Sequence, residues 1–427
     1  MLPALYSVTA SLARLAEAVA QDRPGPLWRT LRARRGIRSR YAAWGRAHRD
    51  ASRPLLWIHA PSVGEGLQAR PVIDLERAAH PGLQLAYTFF SPSAERFAAS
   101  LGADFADYLP FDTAGDARAA LDALRPRALV FSKLDVWPTL TREAARRGVR
   151  LGLISATLAE GSGRRSRIAA SLLRSAYARL DAVGAIDAGD ATRLVALGVR
   201  ESAIQVTGDT RYDQVWQRAE RADRAGALLA PLRSARPTLV AGSTWPADEV
   251  VLLAAWRTVR ARVADARLII APHEPTPAHL QPIERWAADA RLSLARLDDA
   301  RAATADVVLV DRVGVLGELY ALATAAFVGG GFHHAGLHSV LEPAAFGAPV
   351  AFGPRHDGSR DARLLIAAGG GAAAATAATL GDTVASWLGD GAVRQAAGHA
   401  ARAVVRAGLG AAGRSAALID GLLDRPR

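Results

Sequence analysis

Short apolar runs separated by longer helical stretches recur from residue 54 to residue 353, and this alternation constrains the fold more than any other feature of the chain. "LLWIHA" (55–60), "LQLAYTFF" (83–90), "ALVFS" (128–132), "RLGLISA" (150–156), "AVGAI" (182–186) and "SAIQVTG" (202–208) read as buried strands. "EGLQARPVIDLERAA" (65–79) and "PSAERFAASLG" (92–102) read as the helices between them. Strand–helix alternation of this kind predicts an α/β fold with a parallel, doubly wound sheet. The charged, alanine-rich stretch 217–237 contributes no strand and reads as a linker. A second series then begins with "TLVAGS" (238–243), "ARLIIAP" (266–272), "DVVLVD" (306–311), "AAFVGG" (325–330) and "PVAFG" (349–353). The low-complexity segment 367–381 reads as a loop and helix start, and 393–424 as terminal helices. The expected organisation is therefore an N-terminal segment 1–50, a domain 51–216, a linker 217–237 and a second domain 238–427. Two similar α/β halves suggest a ligand held between them, at the carboxyl ends of the strands.

Charge narrows the class of partner. The net charge is +12, and the chain contains no cysteine, which excludes disulfides, thiolate metal sites and thiol nucleophiles. Such an excess points to anionic partners. With aromatics at 6% and no stacking module, nucleic acid is not among those expected. Residues 28–49 hold eight arginines with Trp28, Tyr41 and Trp44 among them. Before them, Leu5, Val8, Leu12, Leu15 and Val19 recur at helical spacing. No unbroken apolar run reaches about 18 residues, so no transmembrane helix is expected. The arginines follow the apolar stretch, which argues against a signal peptide. Two readings stand level: a monotopic contact with an anionic membrane surface, or a helix packed on the protein's own body.

Two stretches carry candidate chemistry. In "IHAPSVGEGLQARP" (58–71) a tight turn follows a strand, and Glu65 falls in the first turn of a helix. A carboxylate there either serves the helix dipole or acts as a general base on a rigid turn. In "VGGGFHHAGLHSVLEPAAFGAPVAFGP" (328–354), Gly329, Gly330 and Gly331 follow a strand, as where backbone approaches a ligand. The following "HSVLEPAAFG" reads as a helix whose N-terminus faces a phosphate. His334, His338 and Glu342 would share one face of a continuous helix, but Gly336 weakens that helix and no second ligand motif exists, so a metal site is disfavoured. The glycines do not form a dinucleotide-binding fingerprint.

"WIHAPSVGE", "TFFSPSAERF", "YLPFDT", "KLDVWPTL", "LISATL", "VTGDTRYDQV", "AGSTWPADE", "IIAPHEP", "LYALATAAFVGGGF" and "LHSVLEPAAFGAPVAFGP" occur in this order. Together they resemble the 3-deoxy-D-manno-octulosonic acid (Kdo) transferases of lipopolysaccharide synthesis, from about residue 25 to 400 and in a divergent branch. The resemblance implies a GT-B glycosyltransferase of two Rossmann-like domains facing a central cleft, with acceptor mainly on the first and CMP-Kdo mainly on the second. It implies a bacterial enzyme at the cytoplasmic face of the inner membrane, with a lipid A precursor as acceptor, inversion at the anomeric carbon, no cofactor and no essential metal. The open alternatives are a GT-B transferase with another nucleotide sugar and a non-catalytic, membrane-peripheral binding protein of the same fold.

On the family's motif Glu65 is the base that deprotonates the acceptor hydroxyl. Arg211 of "GDTRYD" stands where many members carry a charge-stabilising lysine. Lys133 is the only lysine in the chain, and it and Asp135 stand where many members carry acidic residues. Lys133 is expected to hold an acidic group of a substrate with Asp135 orienting it, or else the two simply pair with each other. Donor contacts implied by the resemblance fall on Pro272 and His273, on Val313, Gly314 and Val315, on Gly330 and Gly331, and on His338, Ser339, Val340, Leu341 and Glu342. His273, Val315 and Ser339 depart from the better-known branch, where arginine, glutamate and asparagine are usual.

Overall fold

In the computed structural model, residue 14 and residues 25–424 are described; the segment carrying Leu5, Val8, Leu12, Leu15 and Val19 lies outside them. The chain divides into two units, one of residues 1–214 with 410–427 and one of 215–409. In the first, strands β1 (Leu55–His59), β2 (Gln84–Phe89), β3 (Phe105–Tyr108), β4 (Ala128–Ser132), β5 (Arg150–Ala156), β6 (Ala182–Ala185) and β7 (Ile204–Val206) form one sheet in the order β3-β2-β1-β4-β5-β6-β7. Every pairing is parallel. The strand order reverses between β1 and β4, the switch point where open α/β sheets place their ligands. The central strands are buried on both faces, which explains why they read as unbroken apolar runs.

The second unit repeats the scheme with β8 (Thr238–Thr244), β9 (Arg267–Pro272), β10 (Leu294–Arg296), β11 (Val307–Leu309), β12 (Ala325–Val328), β13 (Val350–Phe352) and β14 (Gly371–Ala373). Its order is β10-β11-β9-β8-β12-β13-β14, again all parallel, with the reversal between β8 and β12.

Two segments differ from the sequence expectation. The last helix, Ala411–Asp424, belongs with the first unit rather than closing a second domain that runs to residue 427. Its Leu418, Ile419, Leu422 and Leu423 are buried in the first core, each worth roughly 2 kcal/mol in apolar burial. Asp213 secures the approach by accepting from the amides of Gly410 (2.8 Å) and Ala412 (3.0 Å). The 217–237 stretch is not a free linker either. Helix Thr210–Arg221 enters it, and Leu229 and Leu232 are fully buried in the second core.

The arginine-rich stretch packs on the first domain as helices Pro26–Arg32 and Ile37–Ala47. Arg34 is buried, donating to the carbonyls of Leu109 (2.8 Å) and Phe90 (3.3 Å) with its guanidinium 4.3 Å over the Phe90 ring. Arg40 grips Asp107, and Tyr41 donates to the Tyr108 carbonyl at 2.8 Å. For residues 28–49, packing on the protein's own body is therefore the structure's answer.

Candidate active site

Helix Val63–Ala79 starts directly beyond β1, and the sequence specifies that start. Ser62 is extended at φ −138° and caps the Gly64 amide, and Glu65 sits in the first turn. Gly66 lets this turn lie close against the sheet, since a Cβ there would stand 2.4 Å from the Phe97 ring. The Glu65 carboxylate accepts from Ser62 Oγ and from Lys133 Nζ, the latter at 3.1 Å. Burial works to raise the Glu65 pKa, but the Ser62 hydrogen bond and the Lys133 charge outweigh it and hold the carboxyl below the ordinary glutamate value.

Lys133 arrives from β4, the strand beside β1 across the switch point. Its backbone is left-handed at φ +67°, a costly conformation for a side-chain-bearing residue, pinned by its amide's bond to the Ile154 carbonyl (2.8 Å). Asp135 faces elsewhere. Its carboxylate accepts from His59 Nε2 (3.0 Å) and Trp137 Nε1 (3.0 Å), with an Arg164 nitrogen 3.9 Å away. His59 is fully buried on β1, with Nδ1 3.0 Å from both the carbonyl and the hydroxyl of Thr88. Burial pushes the Asp135 pKa up, and the bond to His59 and its neighbours bring it below the ordinary aspartate value. The alternative in which Lys133 and Asp135 simply pair with each other is therefore not what forms: Lys133 meets Glu65 and Asp135 meets His59. Tyr177 Oη donates to the Leu134 carbonyl at 2.9 Å and steadies this loop. Trp137 stacks on Phe90 at 5.6 Å, the ring over which the Arg34 guanidinium lies.

Arg211 comes from the far end of the same sheet. It follows β7, and the chain turns back over the sheet there, with the hydroxyl of neighbouring Thr210 2.7 Å from that of Ser155 on β5. It forms an ion pair with buried Asp209 at 2.6 Å.

The switch point of the second sheet is built from rings. Trp245 Nε1 donates to His338 Nε2 at 3.1 Å; Trp245 also stacks on His333 at 4.3 Å and lies 4.5 Å from the His273 ring. His273 and His338 are 4.6 Å apart. Accepting at Nε2 leaves the His338 proton on Nδ1, and burial together with the neighbouring imidazoles lowers its pKa, so the ring is neutral at physiological pH. Beneath the rings, fully buried Asp248 accepts from the amides of Trp245 (2.9 Å), Gly330 (2.7 Å) and Phe332 (3.0 Å). One carboxylate thus ties the loop after β8 to the loop after β12.

That arrangement changes the reading of the glycines. Gly330, at φ +93°, gives its amide to Asp248, and a Cβ on it would lie 2.1 Å from the Gly336 carbonyl oxygen. A Cβ on Gly331 would lie 2.4 Å from the Gly353 nitrogen. Both glycines admit a close approach of backbone to backbone. The expected helix at 338–347 shrinks to Leu341–Ala345, and residues 333–340 are not helical, so His334, His338 and Glu342 do not share a helix face. Val340 and Leu341 are buried in side chain, and Glu342 pairs with Arg218 at 3.4 Å. Burial raises the Glu342 pKa against the pull of Arg218. Pro272 is buried while His273 and Ser339 are exposed; Val313 is exposed, beside Gly314 at φ +91° and half-buried Val315.

Sequence reasoning missed His59, Ser62, Trp245, His333 and Asp248. Signals existed for three of them. His59 is the one ionisable residue in an apolar strand, Ser62 stands three before Glu65 in a capping pattern, and Asp248 stands three after Trp245 with proline between.

Two doubly wound parallel domains, each with a side-chain cluster at its switch point, form the GT-B architecture of nucleotide-sugar enzymes. The UDP-GlcNAc 2-epimerase of Neisseria meningitidis is similar in fold, with a TM-score of 0.62 at 12% identity over 87% of this chain and 99% of that one. A glycosyltransferase from Rickettsia africae is also similar, with a TM-score of 0.58 at 10% identity over 88% and 100%. A family model described as 3-Deoxy-D-manno-octulosonic-acid transferase (kdotransferase) matches residues 31–214. The 3-deoxy-D-manno-octulosonic acid transferase of Bordetella pertussis is 33% identical over 90% of this chain and 91% of its own length. That of Haemophilus influenzae is 26% identical over 75% of each. The chain belongs to the Kdo transferase family.

Proposed function

We propose that the protein transfers Kdo from CMP-Kdo to a lipid A precursor, inverting the anomeric configuration. The observation that carries the reading is the ionised Glu65, held by Ser62 and Lys133 at the first sheet's switch point. In the proposed step Glu65 takes the proton of an acceptor sugar hydroxyl. The hydroxyl oxygen bonds to the anomeric carbon from the face opposite the phosphate, and the carbon–oxygen bond to CMP breaks with its electron pair leaving on CMP. Lys133 has a role only a mobile cation can fill. When an anionic group of donor or acceptor draws the ammonium toward itself, Glu65 loses the charge that depresses its pKa and becomes a stronger base as substrate arrives. Asp135, locked to His59 and Trp137, forms the fixed wall behind that exchange, and Arg211 supplies positive charge farther along the same sheet edge.

The donor is read by the second domain through His273, His338 and Ser339 and through the backbone of 313–315 and 339–342. Neutral His338 would offer an N–H to phosphate rather than a full charge. Supporting the anionic substrates is the net charge of +12, and among the described residues no helix is long and apolar enough to cross a membrane. A peripheral position on the cytoplasmic face of the inner membrane is the location that fits a lipid acceptor and a soluble nucleotide sugar. Mass spectrometry of the lipid formed from CMP-Kdo and a lipid A precursor tests the reaction: a Kdo-bearing product is expected. Calorimetric titration with CMP, UMP and UDP tests the donor. Preference for UDP would overturn that part and favour a different nucleotide sugar.

A further inference from the structure

A cluster that transfer does not use lies on the first unit. Glu76 and His80 end the helix that Glu65 begins, and Asp420 comes from the C-terminal helix Ala411–Asp424. Eleven helical residues separate Glu76 from Glu65, about 16 Å along the axis, toward the amino ends of the strands. Glu76 is 1% exposed, and neither of its carboxylate oxygens has a hydrogen-bond partner. A buried carboxylate without a donor is expensive unless a cation or a proton compensates it. Its neighbours are suited to a cation. His80 Nε2 lies 4.0 Å from Glu76 Oε2 and 2.7 Å from Asp420 Oδ1. One ligand atom from each of the three falls within 4.8 Å of the others. Asp424, one turn beyond Asp420, adds negative charge beside His80.

We propose that Glu76, His80 and Asp420 bind a divalent zinc ion that staples the C-terminal helix to the first domain. One imidazole and two carboxylates form a borderline donor set, which zinc accepts at about 2.0–2.2 Å and magnesium or calcium does not favour. His80 and Asp420, whose side chains are 39% and 41% exposed, have open space in which to adjust toward the ion. Glu76 is already fixed and points at them. Water completes the coordination on the open side, so the site is structural in position and solvent-accessible in exchange.

The test uses the full chain, stripped with a chelator and titrated with zinc against a chromophoric zinc probe. One equivalent is expected to bind with micromolar or better affinity, and a hundredfold excess over the dissociation constant to raise the melting temperature by about 5 °C. His80→Ala and Asp420→Asn should each weaken binding at least tenfold and abolish the thermal shift. Glu76→Leu separates the site from a folding defect: it is expected to melt higher than the zinc-free wild type and to lose the zinc response. The proposal is overturned if wild type binds no zinc at these concentrations. It is equally overturned if binding persists in the His80→Ala, Asp420→Asn double variant and disappears only on replacing His273 and His333.

Discussion

At the first sheet's switch point the side chains are charged and separately paired, Glu65 with Lys133 and Asp135 with His59. At the second they are an indole and imidazoles, carried on loops that one buried carboxylate, Asp248, holds together. On the proposed function, the same sheet topology presents proton-transfer groups in one domain and a weakly charged, ring-lined surface in the other. The difference teaches how a repeated fold divides labour. A general base, the role proposed for Glu65, needs a tuned ionisation state, which charge pairs of alterable balance supply. A nucleotide site, the role proposed for the second cluster, needs shape and directed N–H groups, which rings and fixed backbone supply.

This contrast can be broken in order of expected effect. Asp248→Ala leaves three amides, that of Gly330 buried and those of Trp245 and Phe332 half-buried, without their acceptor and should cost about 3 kcal/mol of the second unit's stability, measured by chemical denaturation. If the loss is negligible, the carboxylate does not organise the loops. Lys133→Met should lower kcat on the order of tenfold to a hundredfold and move the acidic limb of the kcat/KM profile to higher pH. The sign follows from Glu65: its carboxyl must be ionised to accept a proton, Lys133 holds its pKa down, and removing that charge lets it rise. The same depressed pKa stabilises the fold above the ordinary glutamate value, and that contribution fades as pH falls through the folded-state value. An unmoved limb in the variant would remove Lys133 from the account.

Trp245→Leu removes the donor to His338 and the stack on His333, and CMP affinity should fall about tenfold by calorimetry, with the pH profile of turnover unchanged. A shifted profile would mean that the two sites do not divide binding from proton transfer. His59→Gln is the mildest test. It keeps a donor toward Asp135 and is expected to lower kcat about threefold, without moving the acid limb set by Glu65 and Lys133.

The sequence made the interior strands legible because strands buried on both faces are continuous apolar runs. "ALVFS" and "RLGLISA" coincide with β4 and β5 to the residue. The strands it hid were β3, β10 and β14, and all three are sheet edges. Edge strands are short and half-exposed, and Gly371–Ala373 sits in a glycine–alanine tract with no apolar signature. Glu65 at a helix start was legible from the turn and capping residues around it. The partners of Lys133 and Asp135 were not, because a single left-handed residue at 133 decides where each side chain points. The placement of the last helix was also hidden: its apolar face specifies burial but not which core receives it. The glycines of 329–331 were visible as a requirement for close approach, but sequence alone does not say whether backbone or ligand approaches.

The central claim is that Glu65 is the base and that its role is separable from CMP binding. Glu65→Gln preserves size and can still face Ser62 and Lys133 while losing the ability to take a proton. Kdo transfer from CMP-Kdo should fall by a factor of about a thousand, with the dissociation constant for CMP within about twofold of wild type. Retained turnover in that variant, with CMP binding intact, would contradict the account.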